Sequence, residues 1–104
     1  MTVVSVYAVF ASPEEAERIG RQLVEERLAA CVNVLGPCRS VYRWQGELET
    51  ADEVAAIFKT SEAWADGLIA RIAALHSYSV PCVVQWPVEK LLAGYSEWVE
   101  NSVG

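Results

Sequence analysis

The sequence is short of the side chains that most often hold metals or act as nucleophiles. It has one histidine, His76, and three cysteines, Cys31, Cys38 and Cys82, in 104 residues. No two of these cysteines have the close spacing of a zinc site or a redox motif, and an odd count leaves no complete disulfide framework. Reduced thiols filling small core positions, in a cytoplasmic protein, are the expectation. Basic residues are scarce too, eight against fourteen acidic ones, for a net charge of −6. That balance disfavours nucleic acid and anionic membranes as partners, since both select basic patches. No apolar run is long enough for a membrane span, and Thr2 to Phe10 lacks the cationic lead of a signal peptide. Glycine-rich phosphate loops, a His–carboxylate–nucleophile set and metalloprotease motifs are all missing, which removes the common signatures of catalysis.

Apolar and aromatic residues, by contrast, are plentiful. The hydrophobic share is 53%, with four tryptophans and four tyrosines. One domain, 1–104, is what this length allows, and part of so much apolar surface is expected to be buried between subunits.

The pattern along the chain alternates between strand and helix. Val3 to Phe10 is apolar and β-branched, a buried strand. Ser12-Pro13-Glu14-Glu15 starts a helix: Ser12 caps it, Pro13 loses no donor at the first helical position, and Glu15 completes a capping box. Ala16, Ile19, Leu23 and Val24 form its inner stripe, and it is expected to run to about Leu28. Cys31 to Leu35 reads as a strand interrupted at Gly36-Pro37 and resumed from Arg39 to Trp44. Gln45-Gly46 is a turn signal, and a return arm runs from Glu47 to Thr60. Glu62 to Leu75 is a second helix, with Trp64, Leu68, Ile72 and Leu75 inward. Val80 to Val88 is a strand with prolines near its ends, and Leu91 to Val99 a last short helix. The order β-α-β-β-α-β plus a helix predicts an α+β, ferredoxin-like domain with an antiparallel sheet.

The hairpin is too long for such a domain. Fourteen residues at roughly 3.3 Å each extend about 46 Å, against a diameter near 33 Å for a compact chain of this length. Its tip must project or fold sharply, and an isolated ribbon carrying Val41, Tyr42 and Trp44 needs cover that other copies of the chain can supply.

Several stretches together resemble the CutA family of divalent-cation tolerance proteins over essentially the whole chain. They are Glu26 to Asn33, Ser40 to Glu49, Lys59-Thr60, His76 and Tyr78 followed by Pro81, and Tyr95 to Trp98. The resemblance implies a ferredoxin-like subunit in a homotrimer whose strands extend one another's sheets, an architecture similar to that of PII signalling proteins. It also implies a part in the response to metal ions, copper among them. At the positions where copper-binding relatives carry a Cys and two successive His, this sequence has Phe10 and Leu75-His76. Ser77, Ser79 and Cys82 also depart from the family's loop.

Candidate site residues follow from both lines. His76 and Cys82 are possible ligands for copper or another divalent metal, although His76 at a helix end also suits the carbonyls there. Tyr42, Trp44, Lys59 and Tyr78 are candidates for a cleft between subunits, where aromatic walls and one cation suit a small anion; packing is the competing use of the same rings. Glu47, Glu49, Asp52 and Glu53 read as a solvated acidic tip. The function expected is a ligand-binding or signalling trimer, not an enzyme. The alternatives are an enzyme using Lys59, His76 and Tyr78 at an inter-subunit site, and a trimer that only scaffolds another protein.

Overall fold

A computed structural model describes residues 2–104. Its elements are β1 (Val3–Phe10), α1 (Pro13–Glu25), β2 (Cys31–Trp44), β3 (Glu47–Ser61), α2 (Glu62–Leu75), β4 (Val83–Pro87) and α3 (Ala93–Ser102). The sheet has the order β2-β3-β1-β4, every neighbouring pair antiparallel. This is the ferredoxin-like arrangement expected.

One sheet face carries the main core. Val6, Ala8 and Phe10 of β1 and Val54, Ala56 and Phe58 of β3 pack against Ile19 and Leu23 of α1 and Leu68 and Ile72 of α2. These strand residues recur at every second position, as a half-covered sheet requires. The opposite face is covered only at one end, where Val99 and Val103 pack on Val3 and Ala30. The end of it toward the hairpin is the open face, where Tyr42, Trp44 and Trp86 are exposed.

Several boundaries differ from the sequence reading for local reasons. The first helix stops at Glu25, because Arg27 takes a left-handed φ of 62°. Its guanidinium then donates to the carbonyls of Asn101 and Gly104, tying this corner to the end of α3. A bidentate pair from Arg71 to Glu26 links α2 to the same corner and holds the Glu26 carboxyl down at about 2. The last strand begins at Val83, not Val80, since Pro81 has no N–H to give a ladder. Trp64 is not on the inner stripe of α2 but 42% exposed, lying over Gly104.

The second strand is continuous where a break was expected. Val32 and Val34 oppose Phe58 and Ala56; Gly36, at φ 107°, then opposes Ala55, leaving Leu35 as the extra residue of a β-bulge. One inserted residue exchanges the two faces of a strand. Past the bulge, Cys38, Ser40, Tyr42 and Trp44 therefore lie on the open face, although Val32 and Val34, of the same parity, lie on the core face.

The hairpin does project. Only Val54–Ser61 of β3 is paired to β1, so Glu47–Glu53 is held by β2 alone. Gln45 and Gly46 close the tip, both with positive φ, 50° and 83°. Such two-residue turns match the twist of a hairpin. The subunit measures 45 × 25 × 22 Å, the long dimension agreeing with the reach estimated for the return arm.

Candidate functional site

Where the hairpin leaves the sheet, the open face hollows into a cleft of about 660 Å³. Tyr42, Trp44 and Ser40 come from β2, Tyr7 and Val9 from β1, and Glu53 from β3. The loop after α2 adds Tyr78, Val80 and Cys82. Three of the four residues expected to share a cleft, Tyr42, Trp44 and Tyr78, are brought together. Lys59 is not among them. It lies opposite Cys31 and Ser5, six positions along β3 from Glu53, or about 20 Å at the usual rise.

With Lys59 elsewhere, the charge of the cleft is the reverse of that expected. Its one charged residue is Glu53, which is 8% exposed although it belongs by sequence to the acidic tip. The Tyr78 hydroxyl donates to Glu53 Oε2 at 2.8 Å. Burial, together with the hydrogen bond to Glu53 and its negative charge, pushes the Tyr78 phenol up to about 12. Tyr7 is raised as well, chiefly by burial, and stacks on Trp86 with ring centres 4.9 Å apart. Both phenols are neutral near pH 7, presenting ring faces and a donor. Glu53 and Tyr7 are among the cleft residues that the sequence does not reveal.

The loop carrying Tyr78 is fixed by a buried network. His76 stacks on Phe10, ring centres 5.0 Å apart and planes 13° from parallel. Its Nε2 lies 2.7 Å from the Val9 carbonyl, and its Nδ1 accepts the Tyr78 N–H at 3.0 Å. A carbonyl only accepts, so the proton is on Nε2 and the one free lone pair, on Nδ1, is taken by Tyr78. Glu15, 7% exposed, takes the Ala11 N–H on Oε1 at 3.0 Å and the Ser77 N–H on Oε2 at 2.9 Å. Burial by itself would raise the Glu15 carboxyl, but these hydrogen bonds bring it below its ordinary value. The capping-box residue thus holds the loop as well as the helix.

These donors do not fit a resident metal within one chain. Both His76 nitrogens are engaged, and the Cys82 thiol is raised by burial and by Glu53, which disfavours the thiolate a metal needs. Among the described residues no group of three or more His, Cys, Asp or Glu is placed to hold an ion. The acid–base set of the enzyme alternative is not assembled either. His76 and Tyr78 are adjacent, ring centres 4.7 Å apart, but Lys59 is remote.

Comparison with known proteins gives a consistent answer. Residues 4–102 match the family described as CutA1 divalent ion tolerance protein. The divalent-cation tolerance protein CutA of Archaeoglobus fulgidus is 41% identical over 99 residues, covering 94% of this chain and 95% of that one. Rice protein CutA 1, chloroplastic, is 37% identical over 97 residues, 93% of this chain and 55% of that one. The crystal structure of CutA from Xylella fastidiosa superposes with a TM-score of 0.96 at 36% identity, over 100% of both chains. The Archaeoglobus structure, described as that of a periplasmic divalent cation tolerance protein, gives 0.94 at 37% identity over 98% of this chain and 99% of that one.

These relatives correct the cytoplasmic expectation. One is named chloroplastic and another periplasmic. The physical reason is that three unpaired thiols and an acidic surface are compatible with several compartments, and neither encodes an address.

Proposed function

Since the chain belongs to the CutA1 divalent ion tolerance family, we propose that it serves the response to divalent metal ions as a homotrimeric ligand-binding protein, not an enzyme. The open-face cleft is its ligand seat. The observation that carries this reading is the uncovered apolar surface of hairpin and open face. Val41 is 64% exposed, Tyr42 42%, Trp44 46%, Leu48 68% and Trp86 44%. A compact monomer of 11.4 kDa has an accessible surface near 5,800 Å² by the usual scaling, and this chain has 6231 Å². The excess is what a projecting ribbon produces and what partner subunits would remove.

A cleft open at the base of that ribbon is completed in the trimer by neighbouring chains, so ligand occupancy and assembly are linked. Metal enters this reading through the trimer and its ligand, with no ion held by His76 and Cys82 inside one chain. Native mass spectrometry of the protein, with and without Cu(II) and Zn(II), tests it. Three chains per particle at micromolar concentration are expected. A single 11.4 kDa species would overturn it.

A further inference from the structure

The Glu53 carboxyl is buried without a counter-charge. Buried acidic side chains are almost always matched by a cation, because a carboxylate without water or a counter-charge is costly. Glu53 is 8% exposed and has no such match: the ion pairs of the described residues are Arg21–Glu17, Arg39–Asp52 and Arg71–Glu26. Its one side-chain partner, the Tyr78 hydroxyl, is neutral and occupies one carboxyl oxygen. No nearby cation pairs with it: Lys59 lies six positions along β3, or about 20 Å away. Arg39 opposes Asp52, on the other face of the ribbon, and Arg43 turns back to the Gly46 carbonyl. Glu53 is at the same time a wall of a 660 Å³ cleft whose other walls include Tyr7, Tyr42, Trp44 and Tyr78. Electron-rich ring faces around one carboxylate are what attracts an organic cation.

We propose that the cleft is a site for an organic ammonium compound: a protonated amine on an apolar or aromatic body, its charge at Glu53 and its body against the rings. The proposal rests on the cleft being a ligand seat and specifies the charge of the ligand. The volume lies within the range that holds small organic molecules, and is generous for a bare metal ion. An anion meets the wrong sign, since Lys59 stands elsewhere. The phenols of Tyr7 and Tyr78 remain neutral beside the ligand and compete for no proton.

Three probes of one shape and different charge test this: phenethylamine, 2-phenylethanol and phenylacetate, titrated calorimetrically into the intact assembly. Phenethylamine is expected to bind once per chain, at least tenfold more tightly than 2-phenylethanol, with phenylacetate weaker still. Glu53→Gln keeps an acceptor for the Tyr78 hydroxyl and removes the charge; it should bring amine and alcohol within about twofold. Tyr78→Phe leaves the carboxyl in place and should preserve the preference for the amine. Equal binding of amine and alcohol, tighter binding of phenylacetate, an undiminished preference in Glu53→Gln, or no amine binding at millimolar concentration would each overturn the proposal. So would dissociation of the assembly by phenethylamine, which would make a cation of a second copy the natural occupant. Sedimentation of the same samples separates the two readings. An intact trimer that ignores the amine defeats this inference alone, and a monomer that binds it defeats only the trimer.

Discussion

Removing the Glu15 carboxylate should loosen the cleft from a distance, because Glu15 does not line it yet holds the loop that delivers Tyr78. Its two oxygens accept the N–H groups of Ala11 and Ser77, and Tyr78 follows immediately, with its own N–H on His76 Nδ1. Glu15→Ala leaves both backbone donors without their acceptor. An unmade hydrogen bond to a buried charged acceptor costs about 1–3 kcal/mol. Ala11 and Ser77 are exposed residues, so water recovers part of that and about 1 kcal/mol for each is the better figure. The expected loss is about 2 kcal/mol, with Glu15→Gln, which keeps one acceptor oxygen, losing about half as much.

The pH dependence of this contribution has a definite sign. The Glu15 carboxyl is lowered in the folded chain, so in the affected range the unfolded chain binds more protons and stability rises with pH. The contribution is complete above the unfolded value of about 4.3 and disappears as pH falls through the lower folded value. Urea unfolding at one protein concentration, followed by tryptophan fluorescence, should show a gap between wild type and Glu15→Gln that is constant above about pH 6 and shrinks below about pH 4. Amide exchange at Ser77 and Tyr78 should quicken in Glu15→Ala. A variant within 0.5 kcal/mol of wild type at neutral pH, or a gap that widens in acid, would refute the role assigned to this carboxylate.

Other substitutions probe the framework around the cleft. A Cβ on Gly20 would lie 2.6 Å from Val32 Cγ1, so Gly20→Ala should destabilise: overpacking of about 1–3 kcal/mol outweighs a helix-propensity gain of about 1 kcal/mol. Urea midpoints check it, and adding Val32→Ala should recover part of the loss. Trp44→Ala should weaken assembly by roughly 2 kcal/mol, and Trp98→Ala by much less, because Trp98 stacks on Tyr95 within its own subunit; equal dissociation constants in sedimentation would contradict this. Deleting Leu35 removes the extra residue yet leaves Gly36 opposite Ala55, so Tyr42 and Trp44 should keep the open face. Retention of the assembled species in sedimentation is expected, and its loss would show that assembly needs the bulge itself and not only the face it sets.

The parts of the fold that were legible in the sequence are those specified by strong local chemistry. Ser12-Pro13 with Glu15 announced α1, and the Ser12 hydroxyl does accept the Glu15 N–H, at 3.1 Å. Gln45-Gly46 marked the tip, and the length of the return arm alone required a ribbon beyond the sheet. Errors came where a distant residue decides a local conformation. Arg27 ends α1 early with its guanidinium on α3, seventy-odd positions away, and no periodicity near Leu28 reports that. Trp64 falls on the inner stripe by spacing but is drawn to the chain's other end by contact with Gly104.

The cleft shows the same limit more sharply, because its composition depends on register. Tyr42 and Trp44 share a strand face by alternation alone, but which face depends on a single extra residue. Gly36-Pro37 signalled an irregularity without saying whether the strand broke or bulged. Only the pairing of Gly36 with Ala55 puts both rings beside Tyr7, and the same register puts Cys38 opposite Glu53. Glu53 looked like one more acid in a solvated tip because its neighbours Glu49 and Asp52 are that. Its burial follows from its position: it is the last residue of β3 before the ladder with β1 begins at Val54, where sheet, ribbon and the loop after α2 converge. The sign of the cleft is hidden in the sequence for the matching reason. Lys59 has the right residue type for an anion site but stands six positions along the same strand, on the same face and at the far end. Charge pattern along a sequence identifies which groups are available; strand register decides which of them meet a ligand.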